Sequence, residues 1–103
     1  MAHMIVVFRT PKDTAAFDRH YFDRHVPLAK KLPGLRKYEV NRGPIALLNN
    51  AADAYLITAL HFDSLSAIRA AFATPAGQAC GADRKSMAPD EDVQTFLFDV
   101  EEV

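Results

Sequence analysis

A histidine set among apolar side chains is the first chemistry this sequence offers. In the run from Phe17 to Leu35, residues Phe17, Tyr21, His25, Leu28 and Leu32 recur at spacings of four, four, three and four, the stripe a helix lays against a core. His25 therefore points inward, where an imidazole that titrates near neutral pH can take or give a proton in a water-poor pocket. The same spacing also fits a core histidine hydrogen-bonded to a backbone carbonyl, so the catalytic reading requires a cavity beside the ring. Tyr21, on the same stripe, is the matching candidate for contact with a substrate.

The other reactive side chains are more scattered. His61 alternates with Phe62 in a strand-like segment; it is assigned as a second substrate contact, facing either the same cavity or a space between two sheets, with a packed structural role as the competing reading. His20 and His25 are five residues apart, about 140° around an α-helix, so they do not chelate one ion and no metal is expected. Cys80 has no neighbouring cue for a lowered pKa and reads as inert. No glycine-rich phosphate loop, serine-centred nucleophile elbow or apolar carboxylate pair occurs, which removes the kinase, hydrolase and glycosidase classes.

These residues need elements to position them. Met4 to Arg9 reads as a strand, and Asp13 caps a helix from about Thr14 to Leu32 that Pro33-Gly34 stops. Pro27 removes the amide that would bond to the carbonyl of Asp23, so a bend is expected beside His25, and with it a small pocket. Strands follow over Leu35 to Arg42, carrying Tyr38 on one face with Val40, and over Ala54 to Phe62. Asp63 or Ser64 caps a second helix with Leu65, Ile68 and Phe72 inward. Thr74-Pro75 starts a further short helix weakened by Gly77 and Gly81. Ala82 to Asp92 reads as a mobile polar loop, and Val93 to Val100 as the last strand.

The order strand, helix, strand, strand, helix, strand is that of an α+β, ferredoxin-like sandwich with an antiparallel sheet. Such a sheet usually shows water one polar face. Here both parities of the strands are apolar: Met4, Val6 and Phe8 against Ile5 and Val7, and Phe96 and Phe98 against Val93 and Leu97. The second face needs a cover, and a further copy packed sheet on sheet in a homodimer supplies it.

Composition narrows the setting. The chain has 103 residues, 12 basic and 13 acidic, for a formal charge of −1. That is one domain's length without the basic excess of a nucleic-acid partner. No apolar run is long enough to span a membrane and no signal pattern opens the chain. With a single cysteine, the cytoplasm is the expected compartment. Ala2-His3-Met4 has the look of a cloning remnant, which makes residues 1–3 foreign and 4–103 the single domain.

His25-Val26-Pro27-Leu28 followed by Lys31-Leu32-Pro33-Gly34-Leu35, then Thr74-Pro75-Ala76-Gly77-Gln78 and the final Glu101-Glu102-Val103, resembles the EthD family over nearly the whole chain. The resemblance implies a dimeric α+β barrel of two facing ferredoxin-like sheets. It also implies kinship with methylmuconolactone methylisomerases, which work without metal or organic cofactor, and with small polyketide cyclases and monooxygenases. In the isomerase-like relatives a helix-one histidine and a strand-two tyrosine line a pocket; the matching positions are His25 and Tyr38, read as catalytic. A third-strand cysteine of those methylisomerases has no counterpart in Ala59-Leu60-His61-Phe62, so their reaction is not carried over. The expectation is a cofactor-independent enzyme moving protons on a small apolar cyclic or aromatic compound. Its rival is an auxiliary protein that binds such a compound unchanged.

Overall fold

The computed structural model describes residues 1–103. Strand β1 (Ala2–Phe8) leads to a helix capped by Asp13, whose carboxylate accepts from the amide of Ala16. That helix has three parts: α1 (Thr14–His20), a π-helical turn (Tyr21–His25) and α2 (Val26–Ala29). Strands β2 (Lys37–Val40) and β3 (Leu56–Phe62) follow, then α3 (Leu65–Ala73), α4 (Pro75–Met87), a 3₁₀ turn (Asp90–Asp92) and β4 (Val93–Asp99). The sheet order is β2-β3-β1-β4 with every neighbouring pair antiparallel. This is the ferredoxin-like α+β arrangement read from the sequence.

The element ends differ from the sequence reading where hydrogen bonds decide them. Ser64, not Asp63, caps α3 by accepting from the amide of Ala67. Strand β1 begins at Ala2, which is fully buried and pairs with Phe62 and Asp99. Residues 2 and 3 thus form part of the sheet. The largest departure is α4: in place of a short helix and a mobile loop, one helix runs 13 residues to Met87. Thr74 caps it, accepting from the amide of Gly77, and Pro75 stands at the first turn where no amide is needed. Gly77 belongs to the design of this corner. A Cβ there would lie 2.3 Å from the carbonyl oxygen of Ala71, so its absence lets α4 turn tightly off the end of α3.

Register divides the sheet into two faces. Ala2, Val6, Phe8, Leu56, Thr58, Leu60 and Phe62 lie under the helices and are buried. His3, Ile5, Val7, Ile57, Ala59 and His61 point the other way, level with Phe96 and Phe98. Under the helices the core falls into two clusters, one around Ala29, Leu60, Phe62 and Ile68 and one around Phe8, Phe17, Tyr21 and Leu56, with Met4 and Tyr38 against both. No helix is long and apolar enough to cross a membrane.

Candidate active site

The site begins with the π turn. Pro27 has no amide to offer the carbonyl of Asp23, and the helix widens just before it, the amide of Val26 reaching back five residues to the carbonyl of Tyr21. In a wider turn, residues five apart come to the same side. His20 and His25, which an ideal α-helix would separate, both reach Asp83 on α4: His20 Nε2 lies 2.9 Å from Oδ1 and His25 Nδ1 lies 2.9 Å from Oδ2. The expected bend at Pro27 is therefore a change of helical register. It builds a His–Asp–His bridge that a 3.6-residue period does not anticipate.

Charge states follow from this geometry. Burial alone would raise the carboxyl of Asp83, but the hydrogen bonds from His25 and His20 outweigh it and hold the group below the ordinary carboxylate range. An ionised Asp83 only accepts, so the facing nitrogen of His25 carries the hydrogen. Burial lowers the pKa of His25, and the opposing pull of Asp83 does not restore it. At neutral pH the ring is thus neutral, protonated on Nδ1, with its Nε2 lone pair unprotonated. The polar neighbour of that nitrogen is Cys80 Sγ at 3.9 Å. Burial, then the charge of Asp83, push the thiol up to about 11, so it rests as S–H.

Two tyrosines stand across from the imidazole. Tyr21 is 1% exposed, its ring among Phe8, Phe17 and His25, and its hydroxyl is hydrogen-bonded to that of Tyr38. Burial raises both phenols, that of Tyr38 to about 12, so both are neutral donors. Where Tyr21 donates to Tyr38, the proton of Tyr38 is left for a third acceptor.

These groups converge on a cavity of about 510 Å³ lying along the seam between the two core clusters. Its walls include Met4, Val6, Phe8, Leu60 and Phe72, with His25, Tyr38, Tyr21, Cys80, Arg84 and Lys85 among the polar or polarisable points. The volume and the few convergent polar groups suit a small organic ligand. Of the four site residues read from the sequence, the structure brings His25, Tyr38 and Tyr21 together. His61 lies elsewhere. Strand alternation turns Leu60 and Phe62 toward the helices and His61 to the opposite face, where its Nε2 is 2.8 Å from Glu39 Oε1 and its ring abuts His3. Of the two sides left open for His61, the parity of β3 therefore rules out the His25 cavity and leaves the outer face of the sheet.

Asp83 was missed, and Cys80 was read as inert. Both lie on α4, three residues apart and so on one helical face, where the sequence reads as a short helix weakened by Gly77 and Gly81 followed by a loop from Ala82. The signal available was the strong start, Thr74 as cap and Pro75 at the first turn, which can outweigh about 1 kcal/mol for each internal glycine. No three His, Cys, Asp or Glu side chains are gathered as a metal ion would require.

Fold and cavity together define an α+β sandwich with a partly open site between its helices and its sheet. A family model described as the EthD domain matches residues 9–91, and the chain belongs to the EthD family. It is 35% identical over 102 residues to an uncharacterized 11.0 kDa protein of Rhodococcus erythropolis from the thcB-thcC intergenic region, covering 99% of this chain and 96% of that one. A solved EthD family protein from Bacillus halodurans is 30% identical, with a TM-score of 0.87 and coverage of 98% and 99%. Two more distant structures share the fold. A dimeric ferredoxin-like protein from Jannaschia is 16% identical with a TM-score of 0.70 and coverage of 96% and 98%. SnoaB, a cofactor-independent oxygenase from Streptomyces nogalater, is 17% identical with a TM-score of 0.66 and coverage of 99% and 94%.

Proposed function

We propose that this protein is a cofactor-independent catalyst of proton transfer on a small apolar cyclic or aromatic compound held in the cavity beside His25. The observation that carries the reading is a neutral, buried imidazole in the cavity wall, with one nitrogen fixed on Asp83 and the other, beside Cys80 Sγ, unprotonated. A base so placed abstracts a proton from carbon next to a carbonyl. Negative charge then develops on the carbonyl oxygen, where the Tyr38 hydroxyl donates a hydrogen bond, and the imidazolium that forms is stabilised by Asp83. Returning the proton to a different carbon is isomerisation; the enolate can also close a ring or meet dioxygen. That a protein of the same fold is described as a cofactor-independent oxygenase is consistent with chemistry of this kind. The site would work in a homodimer covered sheet on sheet.

The test is solvent-deuterium incorporation into a panel of lactones, phenols and small polyketide-like aromatics. Wild type is expected to exchange at least one of them. His25→Gln should slow exchange by about 10² to 10⁴, and Tyr38→Phe by about 10², in variants that stay folded by circular dichroism but melt lower for the lost bonds to Asp83 and Tyr21. A compound that binds tightly, shifts the melting temperature and exchanges no hydrogen would favour the carrier reading.

A further inference from the structure

The cavity contains one side chain that the proton-transfer reading leaves unused. We propose that Cys80 is a nucleophilic thiol which, with His25 as its base and Asp83 as the base's anchor, forms a covalent site for conjugated carbonyl compounds, enones and quinones, entering the cavity. The proposal deepens the reading above and rests on it for the base alone. Cys80 packs in the core cluster with Ala29, Leu60 and Ile68, yet its Sγ also lies 3.9 Å from His25 Nε2, and the other ring nitrogen is 2.9 Å from the Asp83 carboxylate. Nucleophile, base and orienting carboxylate thus stand in the order that activates a thiol. Cys80 and Asp83 share a face of one regular helix and His25 sits on the facing π turn, so the three are held by secondary structure.

The class of ligand follows from what surrounds the sulfur. Cys80 is 4% exposed and lines the cavity, so a reagent reaches it through a chamber whose wall is mainly apolar but includes Arg84 and Lys85, which suits an organic molecule carrying a carbonyl oxygen. Tyr38 lines the same chamber as Cys80, so one ligand there can meet both a hydroxyl donor and a soft nucleophile. A conjugated carbonyl uses both. The S–H proton passes to Nε2 as the carbon–sulfur bond forms at the β-carbon. The π pair of the double bond moves through the conjugated system onto the oxygen held by Tyr38, and the imidazolium then returns its proton to the α-carbon. Atoms and electrons balance as addition of S–H across the double bond, with no oxidant. A thiol held as S–H at rest gains nucleophilicity only through His25, so solvent-borne reagents outside the cavity should leave it alone.

The experiment is intact-mass analysis of folded protein treated with cyclohexenone or with iodoacetamide, whose alkylation develops no enolate. Cys80 is the only cysteine, so each thiol adduct has one address, checked by peptide mapping and by its loss in Cys80→Ser. The expected result is one cyclohexenone per chain, formed faster at neutral pH by the folded protein than by the same protein in urea. His25→Gln and Asp83→Asn should slow both reagents at least about tenfold, and Tyr38→Phe should slow cyclohexenone selectively. Slower labelling of folded than of unfolded wild type would overturn the proposal without reference to any variant. Equal rates in wild type and in variants whose circular dichroism is unchanged would overturn it too. Deuterium exchange without an adduct would remove the sulfur's role and leave the proton-transfer reading standing, so the two fail separately.

Discussion

At the scale of the residue, His25 makes stability depend on pH. Its pKa is lowered by burial against the pull of Asp83, so the native state binds fewer protons than the unfolded chain once pH drops below the ordinary histidine value of about 6.5. Stability is therefore full above that value and declines as pH falls through the lowered one. Asp83, also depressed, adds a second loss at more acid pH, below the ordinary carboxylate value of 3.8. His3, lowered by burial and by the charge of His61, contributes in the same window as His25. Urea unfolding between about pH 7 and pH 5 should show falling stability in wild type and a shallower fall in His25→Gln, the remainder belonging to His3. Identical slopes would mean that His25 ionises in the folded protein as it does in the unfolded one. The Nε2 lone pair is lost over the same range, so proton abstraction should fail toward acid together with stability.

At the scale of the element, the two glycines of α4 look alike in sequence and differ in space. Gly77→Ala would drive a Cβ to 2.3 Å from Ala71 O and Phe72 Cα, whereas a Cβ at Gly81 meets nothing within 4 Å. The first substitution forces α3 and α4 apart and should cost about 1 to 3 kcal/mol or more. The second removes backbone freedom from the unfolded chain and should gain about 0.4 to 1 kcal/mol. Thermal melts of the two variants should move in opposite directions; a shared sign would mean that the corner is not built as described. These glycines also mark where sequence reasoning ran out. The inward stripe of Phe17, Tyr21 and His25, the strand carrying Tyr38 and the order of elements were legible, because each rests on periodicity or on a local stop signal. Asp83 was not, because glycine propensity argued against a helix whose start was strongly capped. The alliance of His20 with His25 was hidden as well, since a π turn changes the period on which their separation was judged. The side taken by His61 was left open by a strand apolar at both parities, and only the pairing of β3 with β1 assigns it.

The molecule as a whole leaves one side of its sheet uncovered. Phe96 and Phe98 are 47% and 43% exposed in a single chain, two residues apart on an edge strand and so on one face, beside Ile5, which pairs directly with Phe96. Ile57, Ala59 and Val7 continue this surface inward, and Lys37, Glu39 and His61 lie at the β2 end of the same face. A contiguous apolar surface across β3, β1 and β4 is unusual for a monomer, and a twofold partner would match it with itself, aromatic strand against sheet. The expected assembly is a homodimer burying more than about 1,000 Å². Phe98→Glu should give a monomer by light scattering, because the contact cannot bury an unpaired carboxylate without several kcal/mol of penalty. Phe96→Ala should lose about 3 to 5 kcal/mol if its ring is buried in the interface. Wild-type melting should rise with protein concentration, since dissociation and unfolding are linked by mass action. The His25 cavity lies on the other face of the sheet, so a folded Phe98→Glu monomer should keep its Cys80 labelling rate. A wild type that is monomeric at micromolar concentration, with concentration-independent melting, would mean that this face is stable in water.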